Sequence, residues 1–218
     1  MTNEAVKKLR ITTIVAAIFT GAFGVLGHFA YDFLGQQTVV GLFFPVNEST
    51  WEHLKLLFFP MLICLLAGYL IIRNHASPSY SNGSGKKDKI CSSCYMLGAF
   101  LGLVSGMLLI VILFYTFQGI IGYNLDWLNI VIYFIGVIGA YIIFYSYSTL
   151  PFSNTFVYHN RKSKNSLITT RSDSHCKNVP AWLSILGIVI LAALFFIFTF
   201  YTPHIGLFYD PVTQGYGI

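Results

Sequence analysis

Five apolar stretches, spaced by short polar ones, set the pattern of this chain. They run over 11–35, 50–72, 90–117, 125–147 and 181–201. Each reaches or exceeds the roughly 20 residues that a helix needs to cross a hydrocarbon core of about 30 Å. A sixth apolar stretch, 37–45, is only nine residues long. It cannot span, and reads as a re-entrant or interfacial piece between the first two spans. The pattern predicts an all-α, polytopic integral membrane bundle of about five transmembrane helices with one short re-entrant segment, forming a single transmembrane domain over 1–218. The polar connections 73–89 and 148–180 read as mobile loops, and 202–218 as a tail rich in Pro, Gly and aromatics that folds back over the bundle.

Composition supports this reading. Of 218 residues, 56% are hydrophobic and 10% charged, against about a quarter charged in soluble domains. The net charge of +5 could suggest nucleic acid, but the basic residues form no patch interleaved with aromatics, so no nucleic-acid partner is expected. Twelve of the thirteen Lys and Arg flank one side of the spans: Lys7, Lys8, Arg10, Arg73, Lys86, Lys87, Lys89, Arg161, Lys162, Lys164, Arg171 and Lys177. Lys55 alone lies on the other. The positive-inside rule then puts the N-terminus in the cytoplasm and the C-terminus outside, with the basic loops against anionic lipid head groups of the bilayer.

Glycines at 98, 102 and 106, and at 21, 24 and 27, mark stripes where helices approach closely, and leave a homo-oligomer open. Pro60, inside the second span, predicts a kink in that helix and frees the carbonyl of Leu56 for another partner. Cys64 reads as a small core residue. Cys91 and Cys94 read as a reduced pair, with a zinc site shared with His175 and Cys176 as the sharper alternative.

Chemistry gathers at the outer side. His28 and Asp32, four residues apart, share a helix face, with His28 about five to seven residues inside the end of the first span. An ionisable residue at that depth needs a partner, water or function. In the run Pro45-Val46-Asn47-Glu48-Ser49-Thr50-Trp51-Glu52-His53-Leu54-Lys55, Ser49 and Glu52 fit a helix capping box. Glu48 and His53 have no such explanation. The tail adds His204 and Asp210. Together His28, Asp32, His53, His204 and Asp210 supply nitrogen and oxygen ligands for a divalent metal such as zinc, with Glu48 as catalytic base and Asn47, Ser49, Trp51 and Glu52 as structural support.

Three runs, Gly27-His28-Phe29-Ala30-Tyr31-Asp32, Pro45 to Lys55, and Gly206-Leu207-Phe208-Tyr209-Asp210-Pro211, with the terminal Gly215-Tyr216-Gly217-Ile218, resemble a family of small bacterial multi-pass membrane proteins classed as domain of unknown function 6512. The similarity covers nearly the whole chain. It implies a bacterial cytoplasmic membrane and supplies no activity or site residues.

Three functions stay open on these residues. One is a metal-dependent hydrolase or transferase acting on lipid or envelope intermediates. Another is a small proton- or ion-coupled transporter using His28 and Asp32, which would want polar residues continuing inward along spans that are nearly all apolar. The third is a non-catalytic assembly or envelope-maintenance protein in which the outer motif only locks the re-entrant piece and tail together.

Overall fold

The computed structural model describes residues 3–74, 91–153, 155–159, 167–171 and 179–217. Five of its helices are long and apolar enough to cross a membrane: α1 (Asn3–Gly27), α4 (Thr50–Asn74), α5 (Ser92–Ile121), α6 (Asp126–Ser153) and α7 (Ala181–Phe200). Two short helices, α2 (Ala30–Phe33) and α3 (Thr38–Phe43), lie between α1 and α4. The fold is all-α, and α3 is the piece that the nine-residue apolar stretch predicts.

Two boundaries differ from the hydropathy reading. The first span stops at Gly27 instead of running to 35, because the chain turns at His28 and Phe29 and again at Gly35 and Gln36, both at positive φ. His28 therefore sits at the end of the helix and not five to seven residues inside it. The aromatic-rich run Phe29 to Leu34, with Asp32 its one charge, hid that break. The second difference is in the 148–180 connection, where β1 (Thr155–His159) and β2 (Leu167–Arg171) pair as an antiparallel hairpin. Their β-branched and aromatic content favours strand over the structureless loop expected from overall polarity. His175 and Cys176 lie outside the described residues.

The tightest seam is α5 on α6. A Cβ built on Gly98 would come 2.8 Å from the Phe144 carbonyl, and one on Gly102 2.7 Å from that of Ala140. Only glycine permits so close a helix crossing. Around it Leu57, Phe58, Met61, Leu103, Val137, Phe144 and Phe195 are buried as one apolar core. Ile18, Leu26, Ile63, Ile112, Ile138 and Val189 point outward and exposed, as befits a surface solvated by lipid tails.

Pro60 does not interrupt α4. The Leu56 carbonyl, which loses its helical amide to the proline ring, accepts instead from Tyr133 Oη at 3.2 Å. Gly24 leaves the room, since a Cβ there would lie 1.9 Å from that hydroxyl. The same hydroxyl also lies 2.8 Å from the Thr20 carbonyl. The phenol thus ties α1, α4 and α6 together one turn or so below the end of the bundle that carries the polar cluster.

Candidate metal centre

The site is built at the start of α4. Ser49 caps that helix: its Oγ accepts from the Glu52 amide at 3.4 Å, supplying one acceptor for the unpaired amides of a first turn. The expected capping box is altered in its second half. Glu52 does not reach back to the cap's own amide, which bonds Asn47 Oδ1 at 3.0 Å. Its carboxylate accepts from the Val46 amide instead, at 3.1 Å. Pro45 to Ser49 is thereby folded into a compact turn that thrusts Glu48 toward the end of α1.

There Glu48 meets two histidines. Its Oε2 lies 3.3 Å from His53 Nε2 and its Oε1 3.8 Å from His28 Nε2. One ligand atom from each of the three falls within 4.8 Å of the others. The two imidazoles lie side by side, ring centroids 5.0 Å apart. The relative exposures of the three side chains are 31% for His28, 32% for His53 and 46% for Glu48, so the cluster opens to solvent and is not sealed in the core.

Hydrogen bonding fixes the chemistry of His53. Its Nδ1 lies 2.8 Å from the Ser49 carbonyl. A carbonyl can only accept, so Nδ1 carries the hydrogen and the neutral ring presents a bare Nε2. That lone pair faces a carboxylate, which also only accepts. The contact is favourable when a proton or a cation stands between them. A backbone carbonyl behind the distal nitrogen is also the usual outer support of a metal-binding histidine.

Electrostatics at the two groups outside the spans agree with a ligand role. His28 is held below the ordinary histidine range, first because burial disfavours the cation and then because His53 stands beside it; Glu48 and Asp32 pull the other way. Glu48 is held below the ordinary carboxylate range, chiefly by the hydrogen bond that it accepts from His53 Nε2 in the protonated ring. Near neutral pH the pair offers an uncharged imidazole and an ionised carboxylate, the protonation states that bind metal.

The other candidates are placed elsewhere. Asp32 is exposed on α2 and accepts from Gln36 Nε2 at 2.9 Å. It remains near enough to act on His28 electrostatically. His204 stacks on Tyr216, centroids 4.6 Å apart. Asp210 is buried and spends both oxygens inside the tail, on the Val212 amide at 2.8 Å and the Thr213 hydroxyl at 2.7 Å. It thereby closes the turn between β3 (Tyr209–Asp210) and β4 (Gly215–Tyr216). The tail folds back as expected, but serves the site through Asn47, whose Nδ2 donates to the Gly217 carbonyl at 2.9 Å. Trp51 anchors it further, its ring against Phe195 and Phe208 at 4.7 and 5.0 Å.

Lys55, given no part in the site by the sequence pattern, belongs to this frame as well. It is fully buried and its ammonium donates to three acceptors: Glu52 Oε2 at 2.5 Å, the Gly41 carbonyl at 2.8 Å and Thr199 Oγ1 at 2.8 Å. The signal was present, because a lysine inside an apolar span demands a partner.

No curated protein and no solved structure matches the chain. A family does match, over residues 1–157 and 163–218, and its span includes every residue of the cluster. The chain belongs to the family of unknown function DUF6512.

Proposed function

We propose that this protein is a metal-dependent hydrolase or transferase working at a membrane surface on lipid or envelope intermediates, with His28, His53 and Glu48 as ligands of a divalent ion such as zinc. The observation that carries the reading is the convergence of the three ligand atoms within 4.8 Å, with His53 Nδ1 already committed to the Ser49 carbonyl. Two histidines and a glutamate leave a fourth position for water, the arrangement of catalytic and not structural zinc. The solvent opening over the cluster is where that water and a substrate would enter.

The reaction would follow from the ligand set. A metal-bound water has its pKa drawn down toward neutrality. Glu48 would take the proton from that water, which retains its role as base. An ester or amide carbonyl, or a phosphoryl centre, would be the group attacked, and Glu48 would return the proton to the leaving oxygen or nitrogen. Phe29 and Phe33, 64% and 88% exposed beside His28 and Asp32, would lie in the acyl boundary, which suits an amphiphilic substrate. The distribution of the basic residues supports an orientation in which this face lies outside the cytoplasm. A proton-coupled transporter is less well supported, since Asp32 turns to Gln36 on an exposed helix.

The test is metal content by mass spectrometry on detergent-purified protein. Near-stoichiometric zinc, manganese or iron in the wild type, lost in His28→Ala and His53→Ala and kept in His204→Ala, supports the centre. A folded wild type that binds none of these ions when they are supplied overturns it in favour of the non-catalytic reading.

A further inference from the structure

We infer that Lys55 and Glu52 are positioning residues for this centre: a buried ion pair that sets the Glu48 turn over His53 without touching the metal. The inference rests on the metal reading above. Glu52 and Lys55 are three residues apart and share one face of α4, while His53, adjacent in sequence, points off that face toward α1. The pair therefore acts through the backbone that carries Glu48 and not through the imidazole.

The geometry is specific. Lys55 Nζ bonds the Gly41 carbonyl in α3 and Glu52 Oε2, and the same Oε2 accepts from the Val46 amide, two residues before Glu48. Both ends of the Gly41 to Val46 segment are thus fastened to a single charge pair. Close packing reinforces this, since a Cβ on Gly41 would lie 2.5 Å from a Val46 methyl. The third donor of Lys55 reaches Thr199 Oγ1 in α7; that hydroxyl gives its own hydrogen to the Phe195 carbonyl at 2.8 Å and so has only lone pairs to offer. Every ammonium hydrogen has an acceptor, and the pair is 0% and 3% exposed. A buried pair is poor value as a source of stability alone, because desolvation offsets the attraction. What it provides here is a fixed angle between α3, the turn and α4.

The experiment uses the full chain, loaded with Co²⁺ as a spectroscopic probe, in the paired variant Glu52→Met with Lys55→Met, which avoids leaving one charge alone. The expected result is a folded, monodisperse protein whose Co²⁺ affinity falls about 10- to 100-fold, the usual penalty for losing outer-shell support. Its visible absorption should change shape, and amides of residues 38–49 should exchange faster. Tyr133→Phe is the control for a merely structural role: it should lower thermal stability and leave the Co²⁺ spectrum unmoved. Unchanged Co²⁺ affinity and spectrum in the folded double variant overturn the proposal. Should that variant not fold, Thr199→Val removes one acceptor; a several-fold loss of Co²⁺ affinity supports the proposal, and no change in affinity or exchange overturns it. A wild type that binds no Co²⁺ ends the metal reading and the positioning role with it, even where exchange shows the clamp intact.

Discussion

Tyr133 Oη donates to the Leu56 carbonyl, the one backbone acceptor that Pro60 leaves without its helical amide. A defect in one helix is repaired by a side chain of another. Tyr133→Phe keeps the ring and removes the donor, leaving the Leu56 carbonyl without a partner. We expect a loss of about 1–3 kcal/mol, read as a fall in thermal midpoint in detergent, with bound metal unchanged.

Loss of a ligand should behave in the opposite way. Glu48→Gln and His53→Ala should abolish stoichiometric metal while leaving the protein folded, because both groups are half-exposed and outside the apolar core. Asp32→Asn and Asp210→Asn should retain the metal. Loss of metal in Asp210→Asn without loss of the tail's fold would show that the ligand set is wrongly drawn.

Acid should weaken the site in two steps. His28 and Glu48 both have folded-state values below their ordinary ones, so the unfolded chain binds more protons and stability rises with pH. The contribution of His28 is complete above about 6.5 and is lost as pH falls through its lowered value; that of Glu48 is complete above about 4.5 and is lost below that in the same way. Thermal midpoints of metal-free protein between pH 7.5 and 4 should fall toward acid, with the upper step missing in His28→Asn. An identical slope in that variant would remove His28 from the account.

The glycine positions of the α5–α6 seam should tolerate nothing larger. A Cβ on Gly106 would meet that of Ala140 at 2.6 Å and the Gly136 carbonyl at 3.0 Å. Gly106→Val should cost at least the 1–3 kcal/mol typical of overpacking, measured by thermal unfolding, because backbone and not a side-chain tip must move.

Much of this architecture was legible in the chain. Spans follow from hydropathy, because backbone in lipid must satisfy itself, and the glycine stripes and the freed Leu56 carbonyl follow from residue type alone. His28, Glu48 and His53 were legible as chemistry because each is an ionisable group without a capping or packing role. What failed to show depended on distant or backbone partners. His204 and Asp210 are on the right side of the bundle, yet short-range contacts within the tail, with Tyr216 and Thr213, claim them first. Lys55 pairs with Glu52 at helical spacing, but its other two acceptors lie 14 and 144 residues away, one of them a backbone carbonyl. No spacing rule encodes such a partner.

The bond from Asn47 to the Gly217 carbonyl has a consequence for biosynthesis. All three proposed ligands have left the ribosome once residue 53 has emerged, but the strap that holds their turn arrives only after the fifth span is made. A chain cut short before Gly217 would carry every ligand and lack that one strap. Fastening of the Asn47 turn by the tail thereby waits on the fifth span.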